Sequence, residues 1–370
     1  MLLAAALVAP ALALDVVDTR PPQGFDHITL DIGGFAQPRF LHIPEDEAAG
    51  AAGTYGFVIR RARFELNGEL AEDGGGFALI PKISVEMAPE PRLFDFMVNV
   101  RAHRAVQFQV GQYKTPTSRT LIVSDRRTLF PERAEIDNLG PRRDMGAMLH
   151  GNTKRNVIEY AVGAYNGEGT NRLENVNRKF LTVARLAVSP IGGPGTREEL
   201  LHVDDDPTFS LGGIVYRNID GPEGQEMGLF ALNGEAFVHW RWLTAQAELL
   251  HQSIDWQDPS IADSTAGGWY AQAGLWVPGT RWTETHLALV GKVQEVDRFD
   301  PVGADVPLTG PTDPAQRTRI TSGGVGYYLG APWLPSVHDL RIQLIYDHYD
   351  ELEGQPYDND ALMLAGHFTF

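Results

Sequence analysis

The sequence predicts an all-β fold, a transmembrane antiparallel β-barrel of sixteen strands. Three observations predict it. Apolar and polar residues alternate with a period of two along most of the chain, and no long amphipathic helix interrupts them. Many of the alternating segments have about ten residues or more, the length that a tilted strand needs to cross a bilayer. Short and long connections also alternate, as in bacterial outer-membrane barrels, which have short periplasmic turns and longer extracellular loops.

Each strand is justified by its own alternation, most clearly at residues 57–70, FVIRRARFELNGEL. One face of this segment is polar and comprises Arg61, Arg63, Glu65, Asn67 and Glu69. The other face is apolar, is interrupted by Arg60, and comprises Val58, Ala62, Phe64, Leu66 and Leu70. A shift of one residue would turn every charge to the opposite side, so the pattern specifies the register strongly. The C-terminal segment alternates likewise, and its apolar face comprises Leu362, Leu364, Phe368 and Phe370.

The connections between the predicted strands alternate in length. The strands lie at residues 26–40, 56–70, 76–87, 92–101, 104–114, 144–151, 156–166, 179–189, 208–217, 229–240, 241–254, 267–277, 282–296, 318–330, 337–349 and 360–370. Connections after even-numbered strands are short, such as 102–103, and most of those after odd-numbered strands are long, such as 115–143. Two connections break this alternation, because residues 88–91 are too few and residues 190–207 are too many for their places.

Aromatic residues lie near many strand ends, a pattern typical of the girdles at the two membrane interfaces. The pairs are Trp240 and Trp242, Trp269 and Tyr270, Trp276 and Trp282, and Tyr346 and Tyr349. Because Trp and Tyr favour strands in any setting, this pattern supports the barrel only in combination with the other observations.

The N-terminus, MLLAAALVAPALALD, is typical of a secretory signal peptide. Its apolar run is too short to span a bilayer, and Ala11-Leu12-Ala13 fits an A-x-A cleavage site. No Lys or Arg precedes the run, so the positively charged region is incomplete and we expect translation to start upstream. We therefore predict a signal peptide at residues 1–13, a single barrel domain at residues 14–370, and a place in a bacterial outer membrane.

Composition excludes several classes of function. The chain has no Cys, which excludes thiol catalysis, disulfides and cysteine-based zinc sites. Its formal net charge of −17 argues against nucleic-acid binding, which needs a basic face. The sequence contains no P-loop, no HExxH and no GxSxG motif, and its His residues show no ligand spacing on a helix. We therefore predict neither an enzyme nor a cofactor or metal site.

Residues 111–151 resemble the phosphate-selective porin O/P family of outer-membrane channels. The similarity lies in GQYKTPTSRT and TLFPERAEIDNLGPRRDMGAMLHG, and RRARFELNGEL at 60–70 resembles the family's second strand. Later segments agree in order up to the C-terminal HFTF, so the resemblance covers nearly all of the predicted mature chain. It implies a sixteen-stranded homotrimeric barrel whose third long loop folds into the lumen, where arginines and lysines draw phosphate or pyrophosphate inward.

Positive charge gathers where this loop begins and along it, most visibly in SDRRTLFPER at residues 124–133. Residues 114–143 carry seven basic and four acidic side chains in a chain that is otherwise acidic. Arg suits phosphate because its planar guanidinium offers two parallel N–H donors and stays charged. Pairing with acidic wall or loop residues is the competing interpretation for each candidate. The predicted pore-lining, anion-binding residues are Arg61, Arg63, Lys114, Arg126, Arg127 and Arg133.

The leading functional prediction is an outer-membrane diffusion channel for small hydrophilic solutes, namely anions such as phosphate or polyphosphate, in contact with lipid and lipopolysaccharide. Two alternatives stay open. Glu65, Glu86 and Glu248 also lie on strands, so a general or cation-preferring porin fits the same barrel. The alternative from another class is a secreted soluble all-β binding protein, whose strands would pack as sandwiches.

Overall fold

The computed structural model describes residues 25–45, 53–72, 76–195, 197–198, 207–221, 225–258, 263–277, 286–298, 317–329, 340–353 and 358–370. The predicted signal peptide at residues 1–13 and Trp282 lie outside these ranges. Within them, no helix is long and apolar enough to cross a membrane.

Sixteen antiparallel strands form one closed barrel in which every strand pairs with its neighbours in sequence, so the predicted fold and strand number are confirmed. Closure also shows that the sandwich alternative is wrong. The strands are β1 His27–Ile43, β2 Thr54–Ala71, β3 Ala78–Glu86, β4 Arg92–His103, β5 Val106–Lys114, β6 Arg143–Asn152, β7 Ile158–Tyr165, β8 Leu181–Val188, β9 Thr208–Asp220, β10 Met227–Trp240, β11 Leu243–Trp256, β12 Ser264–Val277, β13 His286–Asp297, β14 Arg317–Tyr328, β15 Leu340–Glu353 and β16 Ala361–Thr369.

The alternation along each strand separates an inner face from an outer face. On β2, Arg61 and Arg63 are buried inside the barrel, whereas the neighbouring Phe64 is 43% exposed on its outside. On β16, Met363 is buried and Leu364 is 46% exposed. A barrel with polar residues inside and large apolar residues outside suits a lipid surrounding, because alternation by two sorts every strand in this way.

A β-bulge explains why Arg60 interrupts the apolar face of β2. The register pairs Gln37 with Arg61 and then Pro38 with Ile59, so Arg60 is one residue more than β1 can match. A bulge of this kind turns an extra side chain toward the opposite face. Consecutive guanidinium groups, those of Arg60 and Arg61, consequently point at one partner inside the barrel.

The barrel closes where β1 meets β16, and the C-terminal residue takes part. Gly34 N donates to Phe370 O at 2.9 Å, and Phe370 N donates to Gly34 O at 3.0 Å. A Cβ atom on Gly34 would lie 2.1 Å from Arg63 O and 2.8 Å from the Phe370 ring, so this position accepts only glycine. The last residue of the chain is thereby part of the barrel seam.

The aromatic girdle prediction is partly wrong. Trp240 and Trp242 are exposed on the outer face, as a girdle requires, at 58% and 56%. Tyr270 and Trp276 are buried inside the barrel instead, at 1% and 4% exposure. Position near a strand end does not determine the face of the strand, and on β12 the inward parity places both rings in apolar packing inside the barrel.

Residues 115–142, which join β5 to β6, form the segment that we call loop L3. The loop contains a single helical turn, α1 Arg119–Ile122, and a 3-10 helix at Glu135–Asn138. Its groups hydrogen-bond to buried side chains of strands around the barrel: Gln37 on β1, Arg61 on β2, Asn233 on β10, Glu248 on β11, Gln294 on β13 and Gln343 on β15. Loop L3 is therefore bonded to the inner faces of strands on widely separated parts of the wall.

Candidate pore constriction

Loop L3 has two unlike sides, which decide where a polar passage can run. Its apolar residues Leu129, Phe130, Ala134 and Ile136 are almost completely buried against inward apolar residues contributed mainly by β7–β16. Its charged residues Asp125, Arg126 and Glu132 lie toward β1 and β2, where they pair with Arg39, Arg61 and Glu65 among others. One part of the lumen is consequently packed like a protein core, and the polar side chains collect along the first strands.

Asp125 of loop L3 lies at the centre of one ionic cluster. Its carboxylate accepts hydrogen bonds from Arg63 Nη1 at 2.7 Å and from Arg133 Nε at 3.0 Å, and Arg61 Nε lies 3.6 Å away. Burial alone would raise the pKa of Asp125, but the charges of Arg133, Arg61 and Arg63 hold that pKa well below its usual value. The cluster therefore carries an ionised carboxylate and an excess of positive charge.

Glu132 forms the second cluster with three arginines. Its Oε1 accepts hydrogen bonds from Arg39 Nη1 and Arg60 Nε, each at 2.6 Å, and its Oε2 accepts one from Arg61 Nη2 at 3.0 Å. Burial opposes ionisation, but the positive charges of Arg61 and Arg60 prevail and lower the pKa of Glu132 to about 2. The bulge at Arg60 is what allows two consecutive arginines to reach this carboxylate.

An aromatic ring separates the Asp125 cluster from the next ion pair along the wall. The guanidinium carbons of Arg63 and Arg143 lie 4.8 Å and 4.2 Å from the centroid of the Phe94 ring, at distances typical of cation–π contacts. Arg143 Nε also donates to Asp95 Oδ1 at 2.9 Å. A row of cations held by carboxylates and one ring thus follows β2, β4 and β6.

Lys114 and Arg126 lie where loop L3 meets this row. Lys114 Nζ donates to Val123 O at 2.7 Å, and Arg126 Nη2 is 3.1 Å from Glu65 Oε2. Arg127 is half-buried, and its main chain binds Ser124 O and Glu198 N. Of the six predicted residues, the Asp125 cluster brings together Arg61, Arg63 and Arg133, and Lys114 and Arg126 border it. Arg127 lies apart from it, and its main chain contacts Glu198 in the connection between β8 and β9.

A cavity of about 630 Å³ opens beside the Asp125 cluster on the side of the long connections, and we call it the outer chamber. Its lining contains nine cationic side chains and two carboxylates. The cations are Arg60, Arg61, Arg63, Arg92, Lys114, Arg133, Arg142, Arg143 and Arg172, and the carboxylates are Glu86 and Asp125. Carboxylates that neutralise some of these arginines from behind, such as Glu132 and Asp95, do not line it.

A second cavity of about 360 Å³ lies on the side of the short turns, and we call it the inner chamber. It is lined by three cations, Lys82, Lys114 and Arg185, and by two carboxylates, Asp95 and Glu159. Lys114 is the residue common to the two linings. Its ammonium group therefore stands at the junction between the chambers.

The first part of loop L3 is fixed by a buried carboxylate on the far side of the barrel. Glu248 of β11 accepts hydrogen bonds from Ser118 Oγ at 2.9 Å and from the backbone N–H groups of Arg119 and Thr120 at 2.9 and 2.8 Å. Tyr270 donates to the same carboxylate at 2.7 Å. These donors saturate the charge of Glu248, so it acts as an anchor of α1 instead of facing the passage.

Sequence reasoning missed several members of the site. Arg39 and Arg60 were not among the predicted residues, and Asp125 and Glu132 entered only as acidic loop residues with which the predicted arginines could pair. A signal for Arg60 was present, because a charge that interrupts an apolar face indicates a bulge. Nothing in the sequence indicates that Arg39 and Arg60 converge on Glu132, since the three residues come from β1, β2 and loop L3.

Comparison with known proteins agrees with this geometry. The family described as phosphate-selective porin O and P matches residues 46–207. A search of curated protein sequences found no match.

Solved structures show the same fold at low sequence identity. OmpT, an outer membrane protein of Vibrio cholerae in trimer form, is 10% identical with a TM-score of 0.61, over 93% of this chain and 100% of that one. An anion-selective porin from Comamonas acidovorans is 12% identical with a TM-score of 0.60, over 93% and 100%. The outer membrane channel DcaP of Acinetobacter baumannii is 12% identical with a TM-score of 0.59, over 95% and 99%. The resemblance predicted from residues 60–70 and 111–151 is thus confirmed: the chain matches the phosphate-selective porin O and P family over residues 46–207, and its barrel has the fold of outer-membrane porins.

Proposed function

We propose that the chain is a passive diffusion channel of the bacterial outer membrane that favours small anions, phosphate and polyphosphate among them. The observation that carries this proposal is the outer chamber, with nine cations against two carboxylates in its lining. Rings and rows of Arg and Lys favour anions in pores, and guanidinium groups match the oxygen geometry of phosphate. The family match supports the same preference.

The proposed passage runs from the outer chamber past Lys114 to the inner chamber, between loop L3 and the first strands. Loop L3 narrows the lumen there, because its apolar side closes the part of the lumen toward β7–β16. Lys114 offers a compact charge whose carbonyl contact leaves further N–H donors for a passing anion. A conducting site must also release its ion, and the partial neutralisation by Asp125 and Glu132 weakens binding accordingly.

The second candidate function, a general or cation-preferring porin, is favoured by one observation. The chain carries a net charge of −17, and Glu65 and Glu86 are buried on inward faces. Each of these two carboxylates has a cationic partner: Glu65 binds Arg126, and Glu86 binds Arg63. Paired carboxylates repel anions weakly, so the excess cations of the outer chamber favour the anion channel.

Export, assembly and surroundings belong to the same proposal. Residues 1–13 direct export and are cleaved, the barrel assembles as a homotrimer, and its outer face contacts lipid and lipopolysaccharide. A trimer form is the state described for OmpT, whose fold is shared. N-terminal sequencing of the exported protein and the mass of its detergent-extracted complex test the cleavage and the trimer.

A reversal-potential measurement with a Lys114→Gln variant tests the channel and its preference. In a KCl gradient across a planar bilayer, we expect the unaltered channel to pass more chloride than potassium, and phosphate to reduce the chloride current. Lys114→Gln should lower the anion preference severalfold and weaken the phosphate effect, because it removes the charge shared by both chambers.

Lys154→Gln is the matched control, because it removes the same charge from a different place. Lys154 lies in the short turn after β6 and belongs to neither chamber lining. The variant should leave the reversal potential unchanged. Heat-modifiable migration on a gel confirms that each variant has a closed barrel. A current carried mainly by potassium would contradict the proposed selectivity, and an unchanged preference in Lys114→Gln would remove Lys114 from the passage.

A further inference from the structure

The connection between β8 and β9 is long although it lies on the side of the short turns. Its first residues follow the neighbouring turn, with Ser189 N donating to Val157 O at 2.8 Å and Gly193 N donating to Arg155 O at 2.9 Å. The chain then reaches loop L3, where Gly195 O and Arg197 O accept hydrogen bonds from Arg119 at 3.1 and 2.5 Å. We call residues 189–195 and 197–198 the inward turn segment.

Glu198 ends this segment in a buried and highly bonded position. Its side chain is 3% exposed, and its carboxylate accepts hydrogen bonds from Leu129 N at 2.9 Å, Thr120 Oγ at 3.3 Å and Gln272 Nε2 at 3.0 Å. Glu198 N donates to Arg127 O at 3.1 Å. One residue therefore joins the inward turn segment to both arms of loop L3 and to the inner face of β12.

The donor on the other side of this contact is equally buried. Arg119 is 1% exposed, gives both of its terminal nitrogens to the carbonyls of the inward turn segment, and lies 4.9 Å from the Phe237 ring centroid. A buried guanidinium needs hydrogen-bond acceptors, so the inward turn segment helps to hold α1 of loop L3, together with Glu248. The contact is a specific docking of two connections that enter from opposite ends of the barrel.

On the basis of the proposed channel function, we infer that the inward turn segment is a second constriction element and that Glu198 is a positioning residue for loop L3. The segment fills the lumen beside β8–β12, and Gly195 forms part of the inner chamber lining. Ions are consequently confined to the passage along the first strands, next to Lys114. Without this segment, loop L3 loses the contacts made through Arg119 and Glu198, and a second path opens that bypasses the cationic row.

Single-channel recording of a Glu198→Ala variant in planar bilayers tests the inference. We expect a severalfold higher or strongly fluctuating conductance, together with a reversal potential nearer to zero, because the added path lacks the cations of the outer chamber. Glu72→Ala removes an equal charge from an exposed position after β2, outside both chamber linings, and should behave like the unaltered channel. A Glu198→Ala channel with unchanged conductance and selectivity would overturn the inference.

A conservative variant separates lost position from lost charge. Glu198→Gln removes the charge but keeps a side-chain oxygen that can accept from Leu129 N and an amide that can donate to Thr120 Oγ. Glu198→Gln should keep the low conductance and the anion preference, because the contact with loop L3 is kept. A Glu198→Gln channel that conducts like Glu198→Ala would contradict a positioning role.

The outcomes also distinguish this inference from the proposed function. An unaltered channel that prefers cations contradicts the anion proposal, whereas the difference in conductance between Glu198→Ala and Glu198→Gln still reports whether the inward turn segment narrows the lumen. An anion channel whose conductance ignores both Glu198 variants retains the proposed function and loses the inference.

Discussion

Asp125 and Glu132 of loop L3 both bind arginines, but their different exposure gives them different roles. Asp125 and Glu132 each hold three guanidinium groups nearby, but the side chain of Asp125 is 7% exposed and that of Glu132 is 31% exposed. Removing a partner from a buried ion pair costs about 3–5 kcal/mol, whereas exposed pairs contribute about 0–1 kcal/mol. Asp125 therefore fixes the structure of the constriction, and Glu132 is the contact that solvent can reach.

Acid should release the Glu132 contact first. The pKa of Glu132 in the docked loop is about 2, below its ordinary value of 4.5. Because the docked state has the lower pKa, the stabilisation is complete above pH 4.5 and is lost as the pH falls from 4.5 toward about 2. We expect single-channel current noise to rise in this window, and Glu132→Gln to show the same noise at neutral pH. Quiet currents in both cases would contradict the role of Glu132.

At the scale of the strand, the outward face of β10 carries residues that we expect at two different depths in the membrane. Leu232 is 51% exposed in the middle of the strand, and Trp240 is 58% exposed at its end. A lipid-facing Arg costs about 2–4 kcal/mol at the bilayer midplane and about 0–1 kcal/mol near the interface. We expect Leu232→Arg to lower the free energy of unfolding in lipid vesicles by about 2–4 kcal/mol and Trp240→Arg by far less. Equal losses in a urea titration would place β10 differently in the membrane.

Local alternation was sufficient to predict the strands, but it was insufficient to predict how side chains pack inside the barrel. The side-chain period of two is a property of each strand, so the face of Arg63 or Leu364 follows from sequence alone. The apolar packing of Tyr270 and Trp276 inside the barrel does not follow, because residues of loop L3 that are distant in sequence belong to the clusters that bury them. The bulge at Arg60 left a visible irregularity, whereas the meeting of Glu198 with Thr120 left none.

At the scale of the whole molecule, a negative chain surrounds a positive chamber. The net charge of −17 acts over the Debye length, which is about 30 Å at 0.01 M salt, about 10 Å at 0.1 M and about 3 Å at 1 M. The chamber cations act at contact distance and are screened least. The overall negative charge favours cations and the chamber cations favour anions, so the salt concentration sets the balance between the two effects on selectivity.

The anion preference should therefore depend on ionic strength. Reversal potentials measured with the same concentration ratio at about 0.1 M and about 1 M KCl should both indicate chloride preference, and the preference retained at high salt reports the chamber cations. The Lys114→Gln channel should lose the part retained at high salt. A change to potassium preference at low salt would show that the overall negative charge prevails over the chamber.

The contacts of loop L3 on the two sides of the barrel seam have a consequence for assembly. Gln37 of β1 donates to Asp125 O, and Arg341 and Gln343 of β15 donate to Thr128 O and Leu129 O. These strands flank β16, whose pairing with β1 completes the barrel, so they become neighbours only when the N-terminal and C-terminal strands have met. The full set of loop contacts is available only after that event. The final dimensions of the constriction therefore depend on the closure of the barrel as well as on the loop itself.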